Sequence, residues 1–241
     1  GKGLSPEPKN LITKKSRFIY DKDAKCPTWD MFLMQIFNND LELIRFVQKA
    51  MGYAMSGDVS EQCLFILWGT GANGKSTFLN VLQELFGDYA CSTGTETFMR
   101  KTSENSNDLA RLKGARLVTT SEVEQGKPIS ESLIKQITGE DMLIARFLYG
   151  EYFSFKPTFK IFMATNHKPK IKGSDNGIWR RIKMIPFTVT IPAEQRDKNL
   201  SNKLIAENSG ILNWLIKGYA IWNKEGLKDE PDAVREANEE Y

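Results

Sequence analysis

The sequence predicts an α/β fold: a central parallel sheet with helices against it, and a helical bundle contributed by both chain ends. Three observations predict it. Short apolar runs of strand character stand at Cys63–Trp68, Arg116–Thr120, Phe159–Thr165 and Lys183–Phe187, with helical spacing between several of them. Apolar residues three and four apart fill residues 28–50 and 195–223. Between the first strand and its helix stands Gly69-Thr70-Gly71-Ala72-Asn73-Gly74-Lys75-Ser76-Thr77, which satisfies G-x-x-x-x-G-K-[ST].

In chain order, residues 1–27 hold Pro6, Pro8, Pro27, many lysines and one apolar patch, Phe18-Ile19-Tyr20, and read as an extended lead-in. Trp29, Phe32, Leu33 and Ile36 then share a helical face. Asn38-Asn39-Asp40 breaks and caps, and Leu43, Phe46, Val47 and Ala50 resume the spacing. From Ser76 to Phe86 one face carries Phe78, Leu79, Leu82 and Leu85. Residues 87–103 read as turn-rich, followed by a short helix from Asp108 to Leu112 that closes at Gly114. Ser130 to Ile137 is a helix, and Met142 to Phe155 a β-hairpin turning near Gly150. At the end, helices Gln195–Asn208 and Ile211–Asn223 are interrupted at Ser209-Gly210, Gly226 closes the second, and Pro231 opens a last short one. The chain thus divides into a lead-in (1–27), a helical part (28–60), a nucleotide-binding core (61–192) and a second helical part (193–241).

The glycine-rich stretch carries the chemistry. Glycines let successive backbone N–H groups curl around an anion, and the following helix adds the partial positive charge of its N-terminus. Residues Gly69 to Thr77 are therefore expected to cradle the phosphates of ATP, with Lys75 reaching the β- and γ-phosphates and the Ser76 hydroxyl on Mg²⁺. The strand Arg116–Thr120 ends in Ser121-Glu122-Val123-Glu124, where a carboxylate would order Mg²⁺ and polarise the attacking water. Glu122 is the first choice and Glu124 the second, since alternate residues of a strand share a face. Asn166, at the end of the strand Phe159–Thr165, is either a strand-end cap or a holder of the lytic water and sensor of the γ-phosphate. Arg180-Arg181 is either surface charge or the source of a cation for a neighbour's nucleotide site.

Composition excludes several classes. Three cysteines far apart and a single histidine, His167, support neither a disulfide framework nor a zinc site. No apolar segment is long enough to span a membrane, so no membrane partner is expected, and an intracellular, reducing compartment, the host cytoplasm, fits. The net charge of +3 is too mild to prove a nucleic-acid partner, but it is unevenly spread: residues 156–183 are basic and the tail from Glu225 is acidic. A chain opening Gly1-Lys2-Gly3 without Met reads as a fragment.

The order of these blocks resembles the C-terminal part of phage and plasmid primase-helicases, the group related to the poxvirus primase-helicase, with a superfamily 3 helicase core. The blocks are the loop Gly69 to Thr77, the acids Glu122 and Glu124, Lys135-Gln136-Ile137-Thr138-Gly139-Glu140-Asp141, Phe155-Lys156-Pro157-Thr158-Phe159, Ala164-Thr165-Asn166-His167-Lys168-Pro169, and Gly177-Ile178-Trp179-Arg180-Arg181. The resemblance implies an AAA+-like P-loop core with a helical collar. It also implies a ring, usually a hexamer, with ATP between subunits, single-stranded or forked DNA in the channel, and 3′ to 5′ movement. By position, Lys75 and Ser76 form the first motif, Glu122 with Glu124 the second, and Asn166 the sensor. Arg180 or Arg181 is the finger supplied in trans. A primase domain is expected, if anywhere, before the fragment.

One departure matters. The family's channel hairpin often carries a basic tip, and here the tip is Tyr149-Gly150-Glu151. DNA contact then falls to Tyr149 by stacking and to Arg146, Lys135 or Lys156 by charge. The leading reading is an ATP-dependent DNA helicase in replication of a phage, plasmid or other mobile element. The alternative is a ring ATPase that remodels a replication complex without processive unwinding. A small-molecule phosphotransferase would need an arginine-rich lid and an acceptor pocket, and the sequence has neither signal.

Overall fold

Strands covered on both faces need nearly continuous apolar runs, and Leu64-Phe65-Ile66-Leu67 and Ile161-Phe162-Met163-Ala164 supply them. The computed structural model describes residues 7, 13–16, 18–100, 106–120, 128–171 and 176–241. Its elements are α1 (Pro27–Ile36), α2 (Leu41–Met55), β1 (Leu64–Trp68), α3 (Lys75–Phe86), β2 (Ala90–Thr93), α4 (Ser106–Ala110), β3 (Leu117–Thr120) and α5 (Glu131–Thr138). After them come β4 (Leu143–Ala145), β5 (Phe153–Phe155), β6 (Lys160–Thr165), α6 (Asn176–Trp179), β7 (Ile182–Pro186), α7 (Leu200–Ala206), α8 (Asn208–Glu225) and α9 (Asp232–Glu239). Five strands form one sheet in the order β2-β3-β6-β1-β7, every neighbouring pair parallel. β4 and β5 form a separate antiparallel hairpin.

Side-chain alternation divides the core in two. Phe65, Leu67 and Phe162 point into a core shared with α1, α2, α3, α7 and α8, whereas Leu64, Ile66, Ile161 and Met163 point into one shared with α5 and the hairpin. The first core ties the chain ends to the helix after the glycine loop. Trp29 of α1 stacks on Phe78 of α3, centroids 5.5 Å apart, and meets Trp214 of α8 edge-on, also at 5.5 Å. Helices α2 and α8 touch backbone to backbone. A Cβ on Gly52 would lie 2.0 Å from the Tyr219 nitrogen, and one on Gly218 would lie 2.1 Å from the Gln48 carbonyl oxygen. The α1–α2 turn forms as its residues dictate: Asn38 and Asn39 take positive φ of 51° and 61°, and the Asp40 carboxylate accepts the Leu43 N–H at 2.9 Å.

Three sequence expectations are corrected. Within residues 87–103, read as turn-rich, Ala90–Thr93 is strand β2. It is an edge strand paired only with β3, so its short, polar run lacks the apolar signal of a central strand. The interruption placed at Ser209-Gly210 lies at Glu207, and α8 runs through Gly210. That glycine serves packing rather than a break: a Cβ there would sit 2.2 Å from the Lys25 carbonyl oxygen. Glu207 in turn accepts the N–H groups of Thr28 and Trp29 at 2.9 and 3.0 Å, capping α1, which has no side-chain cap of its own. The preceding helix begins at Leu200, not Gln195, because Ala193–Gln195 closes as a 3₁₀ turn.

Helix α9 lies beside the β7 edge, where Asn238 Oδ1 accepts the Met184 N–H at 3.0 Å. At the N-terminal edge of the sheet, Lys160 opens β6 and is buried. Its Nζ donates to the Ser56 and Asp58 carbonyls at 2.5 and 2.8 Å and lies 4.4 Å from the Tyr53 ring centroid. Among the described residues, no helix is long and apolar enough to cross a membrane.

Candidate functional site

The C-terminal edge of a parallel sheet is where crossover loops leave room for a ligand, and the glycine loop sits there, between β1 and α3. Its backbone is held from three sides. The Gly69 N–H donates to the Thr165 carbonyl at 3.2 Å, Asn73 Nδ2 donates to the Phe187 carbonyl at 3.2 Å, and the Ile191 N–H donates to the Ala72 carbonyl at 2.8 Å. Gly69 is required by closeness, since a Cβ would lie 2.2 Å from the Phe187 carbonyl oxygen. Gly71 and Gly74 are required by conformation, with φ of 112° and 84°. Ala72 also takes positive φ, 50°, so the loop curls as a backbone nest that suits an anion. Gly74 is the N-cap of α3 and brings no capping side chain, which leaves the first-turn amides to a ligand.

Lys75 is 5% exposed. Its Nζ donates to the Gly69 carbonyl at 2.7 Å, to Asn73 Oδ1 at 3.0 Å and to Asn166 Oδ1 at 3.1 Å. A buried ammonium requires such oxygens, and here they come from the loop and from the residue just past β6. The resulting link joins loop, Lys75 and Asn166 into one unit. Ser76, on the first turn of α3, is exposed, and Thr77 is half-buried. Glu122 and Glu124 lie outside the described residues. The strand before them ends at Thr120, paired in register with Met163, so the chain leaves β3 at the same edge as Asn166.

The two arginines differ. Arg181 is 9% exposed, and its guanidinium donates to the Gly177 carbonyl at 2.7 Å and to Gln62 Oε1 at 3.1 Å. Arg180 is exposed at the end of α6. Of the residues expected to meet DNA, Arg146 and Tyr149 come together on the hairpin connection. Tyr149 is 99% exposed with φ 61°, and the Arg146 guanidinium lies 4.7 Å from the Tyr152 ring centroid. Lys135 stands apart on α5, and Lys156, just past β5, pairs with Glu140 at 3.7 Å. Sequence reading missed that Met142, Ile144, Phe147, Leu148 and Tyr152 are all exposed around this tip. Apolar residues crowded on both sides of Arg146 and Gly150, in a hairpin too short to bury them all, were the available signal. It also missed Phe187 and Ile191, which grip the loop through backbone atoms that no motif records.

Comparison with known proteins places the chain. A family model described as a family of unknown function (DUF5906) matches residues 67–181. The chain is 32% identical over 222 residues to "Putative helicase L207/L206" of Acanthamoeba polyphaga mimivirus, covering 84% of this chain and 23% of that protein. It is 29% identical over 231 residues to "Putative helicase 022R" of Frog virus 3, covering 87% of this chain and 24% of that protein. The chain is a homologue of these viral proteins. The resemblance drawn from its motifs therefore holds, at the level of relatives that bear helicase names. The chain spans about a quarter of their length. Its fold matches the apo structure of the NrS-1 C-terminal region (305–718), with a TM-score of 0.70 at 14% identity, over 92% of this chain and 55% of that one.

Proposed function

We propose that this chain is the ATP-hydrolysing motor of a DNA helicase of superfamily 3 type, with an AAA+-like P-loop core, serving replication of a virus, phage or other mobile element. The observation that carries the reading is the Lys75 ammonium, buried and shared between the loop carbonyl of Gly69 and the side chain of Asn166. Phosphate oxygens of ATP entering the nest exchange for these acceptors, and Asn166 is thereby coupled to the γ-phosphate. Donors already aimed at the transferring phosphoryl need no reorganisation as charge develops there. The residues fit a triphosphate: the loop turns its backbone inward at three positive-φ positions, a buried cation waits at its centre, and no capping side chain fills the helix N-terminus.

Mg²⁺ would be held by the Ser76 hydroxyl and Glu122, and when bound it neutralises phosphate charge. Glu122, with Glu124 in support, polarises the lytic water. Arg180 is the finger given to the next subunit of a ring, a hexamer by family likeness, because it is exposed while Arg181 is spent on Gly177 and Gln62. Single-stranded DNA is taken 3′ to 5′ through the ring, with Tyr149 stacking on bases and Arg146, Lys135 and Lys156 adding charge. A second reading, a ring ATPase that remodels a replication complex, draws on the hairpin tip, where Tyr149-Gly150-Glu151 offers phosphate no cation.

The test is ATP hydrolysis by the purified chain with and without single-stranded DNA. The helicase reading expects stimulation by DNA that disappears in Lys75→Ala. Hydrolysis indifferent to DNA moves the assignment to the remodelling ATPase, and hydrolysis that survives Lys75→Ala removes the loop from the chemistry.

A further inference from the structure

A nucleotide is longer than the loop that holds its phosphates, so its base must leave the loop on one side. The geometry around Lys75 says which. Lysine of such a loop reaches the β- and γ-phosphates, and Lys75 Nζ faces Asn166 Oδ1 at 3.1 Å. The terminal phosphates therefore belong on the β6 side, and the nucleoside on the other. That other flank is built by α1 and by the chain after β7. A Cβ on Gly74 would lie 2.6 Å from Ile36 Cγ2 and 3.2 Å from Phe32 Cε2, so α1 presses directly on the loop. The Ile191 N–H holds the Ala72 carbonyl, and the chain then continues to α7 at Leu200.

Between α1 and the start of α7 lies an open cavity of about 600 Å³, lined by Met31, Phe32, Met34 and Leu200 with Asp30 and Gln35 among its polar groups. We infer that this cavity takes the base and ribose of the bound nucleotide, with the Met31 and Met34 thioethers and Leu200 against the ring. The inference rests on the nucleotide reading above. Apolar walls with few polar groups are the usual composition of a small-molecule pocket, and methionine sulfur packs well on an aromatic ring. Met31, 64% exposed on α1, is on the open rim of this cavity. The rival hollow, about 250 Å³ between Trp68, Thr188 and α9, suits a base less well. Trp68 packs with the core on the sheet face away from α3, and its ring already carries Lys168 Nζ at 4.7 Å, itself 3.7 Å from Glu240. Because the chosen pocket recognises its guest mainly by apolar contact, it adds affinity with modest choice between purines.

Photolabelling with 8-azidoadenosine triphosphate, followed by peptide mapping, locates the base directly. Label on residues 28–35 or around Leu200 is expected, and label on Phe37, Asn38, Trp68, Thr188 or α9 would overturn the assignment. In parallel, calorimetry measures ATP and inorganic tripolyphosphate on the wild type, on Met31→Ala combined with Leu200→Ala, and on Lys75→Ala. The pocket variant should bind ATP about tenfold more weakly while tripolyphosphate affinity stays unchanged, since only the base contacts are lost. Equal weakening of both ligands, or of neither, sinks the pocket. ATP binding that Lys75→Ala leaves intact sinks the phosphate-loop reading and this inference together. Loss in Lys75→Ala with indifference to the pocket variant sinks this inference alone.

Discussion

Two buried lysines stand at opposite edges of the same sheet and solve the same problem differently. Lys75 and Lys160 are 5% and 2% exposed, and each ammonium donates to backbone carbonyls, Lys75 to side-chain amides as well. Lys160 donates to carbonyls at and just past the C-cap of α2, where the helix dipole is negative, under the Tyr53 ring. Those acceptors belong to a packed helix end. Lys75 instead donates to a glycine-loop carbonyl and to the side-chain amides of Asn73 and Asn166, in a loop curled through three positive-φ residues. On the nucleotide reading proposed above, phosphate oxygens take the place of these acceptors without unfolding anything. A buried cation is a staple where its oxygens are fixed and a site where they can be exchanged.

The sharpest way to break this contrast is to remove each ammonium in turn. Lys75→Ala is expected to lower ATP hydrolysis by about a thousandfold, the scale of losing a transition-state cation, with a smaller change in Tm than its counterpart. Lys160→Ala should do the reverse. It empties a filled position between α2 and the sheet and should lower stability by roughly 2–4 kcal/mol, read as a fall in Tm on the order of 10 °C. Hydrolysis per folded molecule should be kept. Were Lys160→Ala to abolish hydrolysis at a temperature where circular dichroism shows it folded, the staple would be part of the machinery and the contrast would fail.

The arginine pair gives the same contrast on a smaller scale. Arg181→Ala leaves the Gly177 carbonyl and Gln62 without the guanidinium they bind, so a Tm loss of several degrees is expected, on the order of 1–3 kcal/mol. Arg180→Ala should leave Tm within about 1 °C, as surface substitutions do. It should cut hydrolysis only at protein concentrations where subunits associate. Mixing Arg180→Ala with Lys75→Ala chains tests this: mixed rings that regain part of the activity place the two residues in one shared site. Failure of mixtures at every ratio, with association verified by sedimentation, removes Arg180 as the finger.

How much of this was legible beforehand follows from the range of the interactions. The loop was legible because its requirements are local: glycines at fixed spacing, a strand before and a helix after. Central strands β1 and β6 were legible because burial on both faces writes a continuous apolar run. β2 was not, because an edge strand of Ala-Cys-Ser-Thr carries little apolar signal and owes its conformation to β3. Gly210 misled because a glycine that permits close helix packing looks, in sequence, like one that ends a helix. Arg180 and Arg181 could not be separated, since which one turns inward depends on Gln62, more than a hundred positions away. Lys160 read as one more charge in a basic stretch, and only tertiary packing makes it a staple.

The finest test of the contrast uses pH. Burial, with the Arg116 guanidinium second, pushes the Lys160 ammonium down from its usual 10.5 to about 7. In the unfolded chain the same group keeps its ordinary affinity for protons. Between pH 7 and about 10.5 the unfolded state therefore binds more protons than the folded one, and stability must rise with pH across that window. The sign is opposite to that of a lysine held by a carboxylate, whose stabilisation is lost as pH rises. Lys160→Met keeps most of the volume and removes the titration, so its Tm minus that of the wild type should fall steadily from pH 7 to pH 10, by on the order of 5 °C. A difference that stays flat over that range would mean that the ammonium keeps its full charge at the N-terminal edge. The helix-end carbonyls would then offset the whole cost of its burial.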